Sequence, residues 1–99
     1  MNLQDLMRQA QSMQKKMLDS KSKIDSMVFE GKSELVTVKM TGKRKLTEVK
    51  IKEDIELDKD DLEILEDMIA IAVNDALGKI EKEINSKLGS QASGLEGLL

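Results

Sequence analysis

The sequence predicts an α+β fold, a small antiparallel sheet flanked by two long helices, and three observations carry that expectation. Between Leu35 and Lys52, Val36, Val38 and Met40 alternate with Thr37 and Lys39; after Thr41-Gly42 the alternation resumes at Val49 and Ile51 against Glu48, Lys50 and Lys52. A period of two marks half-buried strands, here joined as a hairpin. Before this stretch, and through most of the chain after it, apolar residues recur at helical spacing instead. The third observation is size. Ninety-nine residues make one domain, and with Phe29 as the sole aromatic the core has to be aliphatic and rich in methionine. So lean a core points to a partner chain.

Taken in order, Asn2 to about Ser26 reads as one helix without Gly or Pro. Written as heptads, one seam takes Leu3, Ala10, Met17 and Ile24, and the other takes Leu6, Met13, Ser20 and Met27. That is a narrow, coiled-coil-like stripe. Such a helix spans roughly 35–40 Å, about twice the length of a six-residue strand. Part of its stripe must overhang the sheet. Met27 to Lys32 reads as an edge strand, and the hairpin comes next with its turn in Gly42-Lys43-Arg44-Lys45. A polar connection then leads to a second helix from about Lys59 to Leu88, with Asp58, Asp60 and Asp61 as N-cap or first-turn acids. Its middle, MIAIAVNDAL, is apolar nearly all round, which suggests burial on more than one side. Asp75 with Lys79, and Glu83 with Lys87, stand at i, i+4 in the favourable order. Gly78 inside this helix costs about 1 kcal/mol relative to Ala, which a close approach by another helix would explain. The expected organisation is a single domain over residues 1–90 and a flexible tail over 91–99.

Composition excludes much chemistry. With no Cys, no Pro and no His, the chain has no disulfide framework, no thiolate metal site and none of the commonest general base. No apolar run reaches the ~20 residues of a membrane span, and MNLQDLMRQAQ lacks the basic and apolar regions of a signal peptide. A soluble cytoplasmic domain is expected. Asp54, Glu56, Asp58 and Asp60 superficially resemble a calcium loop, but the central glycine and the bidentate acid are missing. Helix capping and a solvated connection explain them. Without a phosphate cradle or a nucleophile–base pair, the reading is a non-enzyme with no cofactor, no metal and no small-molecule substrate.

Charge is strongly segregated behind a net value of −3. Residues 31–52 carry seven cations against Glu34 and Glu48, whereas residues 53–69 carry nine acids against Lys59. Local field decides what approaches each face. On the first helix Arg8, Lys15, Lys16 and Lys23 fall on adjacent f and g positions, a basic ridge with charges about 10 Å apart that suits a phosphate backbone. The hairpin adds Lys39, Lys43, Arg44 and Lys45. Such charges also serve as an ordinary solvated face, or discourage edge-to-edge sheet pairing. With no aromatics to stack bases, the nucleic acid these cations suit is duplex, contacted through its phosphates.

Three blocks resemble the YbaB/EbfC family of bacterial nucleoid-associated proteins. They are LMRQAQSMQKKM (Leu6 to Met17); Glu30-Gly31 with LVTVKMTG (Leu35 to Gly42) and EVKI (Glu48 to Ile51); and LEDMIAIAVNDAL (Leu65 to Leu77). The resemblance implies helix, three-stranded antiparallel sheet, helix, and a homodimer with protruding helices. It also implies binding of double-stranded DNA in the bacterial cytoplasm, at the nucleoid, with a role in nucleoid organisation or gene regulation. The rival reading is a protein-interaction module whose Met-rich helices grip another protein, with the acidic stretch repelling DNA.

Overall fold

A computed structural model describes residues 2–88. The order is α1 (Leu3–Ser26), β1 (Val28–Lys32), β2 (Val36–Thr41), β3 (Leu46–Ile51), a single 3-10 turn (Lys59–Asp61) and α2 (Leu62–Leu88). The strands form one antiparallel sheet in the order β1-β2-β3. This is the expected α+β architecture. The segment 91–99, expected as a flexible tail, lies outside the described residues.

Capping residues set the helix starts. The Asn2 side chain accepts from Asp5 N–H at 2.9 Å, which opens α1. Asp58 and Asp61 form a reciprocal capping box before α2, so the first of the three expected acids is the cap. Both i, i+4 pairs form, Asp75–Lys79 at 3.4 Å and Glu83–Lys87 at 3.9 Å.

The core lies between α2 and one face of β1 and β2. Val36, Val38, Met40 and Phe29 point inward against Ala72, Ala76 and Ile80, an i, i+4 ladder whose alanines let helix and sheet approach closely. Gly31 is the other half of that approach. A Cβ there would overlap the Ala72 carbonyl oxygen and Ala76. Gly42 has a similar role, since a Cβ would overlap the Ile24 carbonyl where α1 crosses the end of β2. In the hairpin turn the left-handed residue is Arg44, at φ 66°. The glycine serves space there, and the arginine bears the strain.

The two sheet edges differ. On the outer edge of β1, Lys32 N–H donates to Asp75 Oδ2 at 2.9 Å and Lys79 Nζ donates to the Glu30 carbonyl at 2.6 Å. The α2 ion pair thus clips that edge shut. The hydrogen bond from Lys32, with Lys79 and Lys82 nearby, holds the Asp75 carboxyl below its ordinary pKa. β3 has no such cover. Expected to be half-buried, Val49 is 44% exposed, and Ile51 and Leu46 are exposed with it. They are nevertheless on the inner face, because Ile51 pairs with Val36, Val49 with Val38 and Leu46 with Met40. A bulge at Lys39/Met40 brings Leu46 onto that face by breaking the strict alternation.

Two sequence expectations about α2 are not met within the single chain. Its nearly all-round apolar middle is buried on one side of the chain only, and Ile71 remains 52% exposed. An added Cβ at Gly78 would meet nothing within 4 Å, so no helix approaches it among the described residues.

Candidate nucleic-acid interface

The first half of α1 leaves the body of the protein. The molecule measures 70 × 19 × 16 Å, an elongation that a sheet of five- and six-residue strands cannot supply. Burial along α1 agrees. Ile24 is buried, Met17 and Ser20 are half-buried, and residues 2–16 are exposed. The overhang expected from helix length is therefore present. Leu3, Leu6 and Met13 carry the exposed end of the stripe.

Arg8, Lys15 and Lys16 stand on this projecting arm, all exposed. Lys23 belongs to the last turn of α1, beside the body. The hairpin tip comes to the same pole. Lys43 and Lys45 share a groove with Ser22, Asp25 and Ser26, and Lys43 and Arg44 line a neighbouring hollow with Lys21, Ile24, Ile84 and Leu88. The C-terminal turns of both helices and the hairpin turn thus converge, and Lys21, Lys43, Arg44 and Lys45 surround the junction.

Sequence spacing does not single out Lys21. Its heptad position gives no hint, because only the fold carries the hairpin turn to it. It also pairs with Asp25 at 3.4 Å, which lowers its availability to a ligand. Lys39 stands apart from the other seven predicted cations. It lies on the sheet face away from α2, opposite Glu48 in the β2–β3 register, and pairs with it at 3.5 Å. On the same face Lys32 pairs with Glu30 at 3.6 Å. This face is largely charge-compensated. Lys50, opposite Thr37, is the unpaired cation there, whereas Arg8, Lys15 and Lys16 on the arm and Lys43, Arg44 and Lys45 at the pole form no ion pair among the described residues.

Acidic residues are gathered elsewhere. The stretch 53–67 includes the 3-10 turn and the start of α2, and α2 runs antiparallel to β1, since Asp75 meets Lys32 and Lys79 meets Glu30. Its N-terminal acids therefore lie at the end of the body opposite the pole where α1, the hairpin turn and the α2 C-terminus meet. Attraction and repulsion act at separate ends. Among the described residues no three His, Cys, Asp or Glu form a metal-binding group, and no helix is long and apolar enough to cross a membrane.

The fold and its sorted surfaces define a small helix–sheet–helix protein that displays cations on a projecting helix and a hairpin tip. Comparison with known proteins gives the class its family. The model of the YbaB/EbfC DNA-binding family matches residues 1–95, and the chain belongs to that family. Similar curated proteins include a nucleoid-associated protein of Lactococcus lactis subsp. lactis, 47% identical over 96% of this chain and 97% of its own length. Nucleoid-associated proteins of Legionella pneumophila (45% identity over 95% of this chain and 84% of theirs) and Ligilactobacillus salivarius (39% over 99% and 95%) are also similar.

Proposed function

We propose that the protein is a nucleoid-associated homodimer that binds duplex DNA through its phosphates and acts in nucleoid organisation or gene regulation in the bacterial cytoplasm. The observation that carries this reading is the display of Arg8, Lys15 and Lys16 on an arm clear of the acidic end. Lys23, Lys43, Arg44 and Lys45 form the second contact region, at the pole, and Lys39 is a weaker contributor because Glu48 holds it. Membership of a DNA-binding family supports the same ligand. Contacts of this kind position a protein on DNA without reading its sequence.

The dimer is supported by the uncovered inner side of β3. Leu46, Val49 and Ile51 form an apolar strip next to the core, and Val73 and Leu77 are half-buried one position beyond the alanine ladder, on the side of α2 away from the β1 clip. With the β1 edge closed by Asp75 and Lys79, β3 is the edge left for a second copy. Two-fold symmetry then presents two arms and two poles.

The test is a salt titration of binding to a random-sequence duplex, on protein of checked solution mass. A dimer whose log affinity falls steeply with log salt supports the reading. A dimer without measurable affinity at low salt overturns it and favours the protein-interaction module.

A further inference from the structure

The apolar stripe of α1, its two seams taken together as one seam for a partner helix, is only half used. At its C-terminal end Ile24 is buried, near Ile84 and Leu88 of α2, and Met17 and Ser20 are half-buried. The same seam continues through Ala10 to Leu6 and Leu3, and there it faces solvent, with Leu3 72% exposed. A stripe of two apolar positions per heptad is too narrow to cover a sheet and fits one other helix. Its buried end already packs in that way.

We infer that the open half of the seam pairs, antiparallel, with the same stretch of α1 from a second homodimer. Leu6 then lies across from Ala10 of the second copy, and Leu3 across from Met13, so the Leu6 layers set a large side chain against a small one. Side-chain size selects this orientation, and charge permits it. The flanking positions that meet are Met7 with Met7, Gln9 with Gln9 and Lys16 with Asn2, none of them a like-charge contact. A parallel pair would instead set Leu6 against Leu6 and Ala10 against Ala10, a layer of two large side chains beside a layer of two small ones. Arg8 and Lys15 point away from the seam in either case.

The overlap is roughly eleven residues per helix, marginal for an isolated helix pair. Pairing therefore becomes effective when two arms act together or when DNA concentrates the protein. Each joined pair of dimers keeps its basic ridges outward, and two duplexes are bridged. The bridging, but not the pairing, rests on the DNA-binding reading above.

Because the chain has no cysteine, introduced thiols report the register. Full-length Leu6→Cys and Ala10→Cys proteins are oxidised mildly without DNA, each alone and as a mixture. The mixture is expected to form the mixed disulfide at least about tenfold more readily than either protein links to itself. Self-linking by each alone, which a parallel pair gives, overturns the proposal, and so does the absence of any link, the result if another segment covers the seam. Leu3→Cys with Met13→Cys repeats the test at the next layer. Bridging is read by capture of a labelled duplex on an immobilised one. Leu6→Gln is expected to lower capture about tenfold while affinity for a single duplex stays within about twofold. Unchanged capture overturns the bridging role. If wild-type protein binds no duplex at all, the DNA reading fails while the disulfide result still decides the pairing.

Discussion

Ile24 and Leu6 sit on the same apolar stripe of one helix, on its two adjoining seams, yet one is buried in the core and the other is half exposed on an arm. The difference is one of length. α1 has 24 residues, and only its last turns meet α2 and the hairpin. The sheet repeats the contrast, with one edge clipped by Asp75 and Lys79 and the other bare and apolar. In this small protein the chain buries one end of each element for itself and leaves the other end exposed. The contacts proposed with DNA and with a second copy all lie at the ends left open.

The contrast along α1 predicts the largest effect. Ile24→Ala should destabilise by about 2–5 kcal/mol, since it opens a cavity among Phe29, Met40 and Ile80, whereas Leu6→Ala should cost less than about 0.5 kcal/mol. Denaturant melts of the two variants side by side check this. Equal losses would mean that the arm is packed in solution.

Glycines sharpen the same comparison. Gly31→Ala should cost about 3 kcal/mol, because the new methyl meets backbone of α2 that cannot move away independently. Gly78→Ala meets open space and should raise stability by about 1 kcal/mol through helix propensity. A loss at Gly78 accompanied by a fall in solution mass would place the second copy against α2 at that point.

The smallest effect concerns the clipped edge. Asp75 has a lowered pKa in the folded chain, so its contribution is present above the unfolded value of about 4 and is lost as pH falls through the lower folded value. The Lys32 amide proton should report that titration by NMR, with a midpoint below about 4, and should lose it in Asp75→Asn. A midpoint at or above about 4 would mean that the clip is open in solution.

Much of this fold is legible in the sequence. Alternation at Val36, Val38 and Met40 marks the central strand, and the heptad pattern with helix length marks the overhang, since both depend on local periodicity. The exposure of β3 is not legible, because an apolar alternation does not say which chain covers it. Nor is the place of Leu46, which a bulge moves onto the inner face. Gly42 has the position of a residue that permits the turn, but it is required by Ile24 from a distant element, and Arg44 takes the positive φ. Among the cations, the ridge on α1 comes directly from helical phase. The junction of Lys21 with Lys43 and Arg44 depends on tertiary structure and leaves no mark in the spacing.

The projecting arm is the part of the protein proposed to meet phosphate. Its most direct test is the salt dependence of duplex binding for Lys15→Glu/Lys16→Glu beside the unaltered protein, with both confirmed as folded and of equal mass. Binding should weaken, and the log–log slope should become shallower by roughly 2 for each arm engaged, at about 0.9 for each phosphate no longer neutralised. An unchanged slope would contradict the role given to Lys15 and Lys16 and would leave Arg8 and the pole as the proposed contacts.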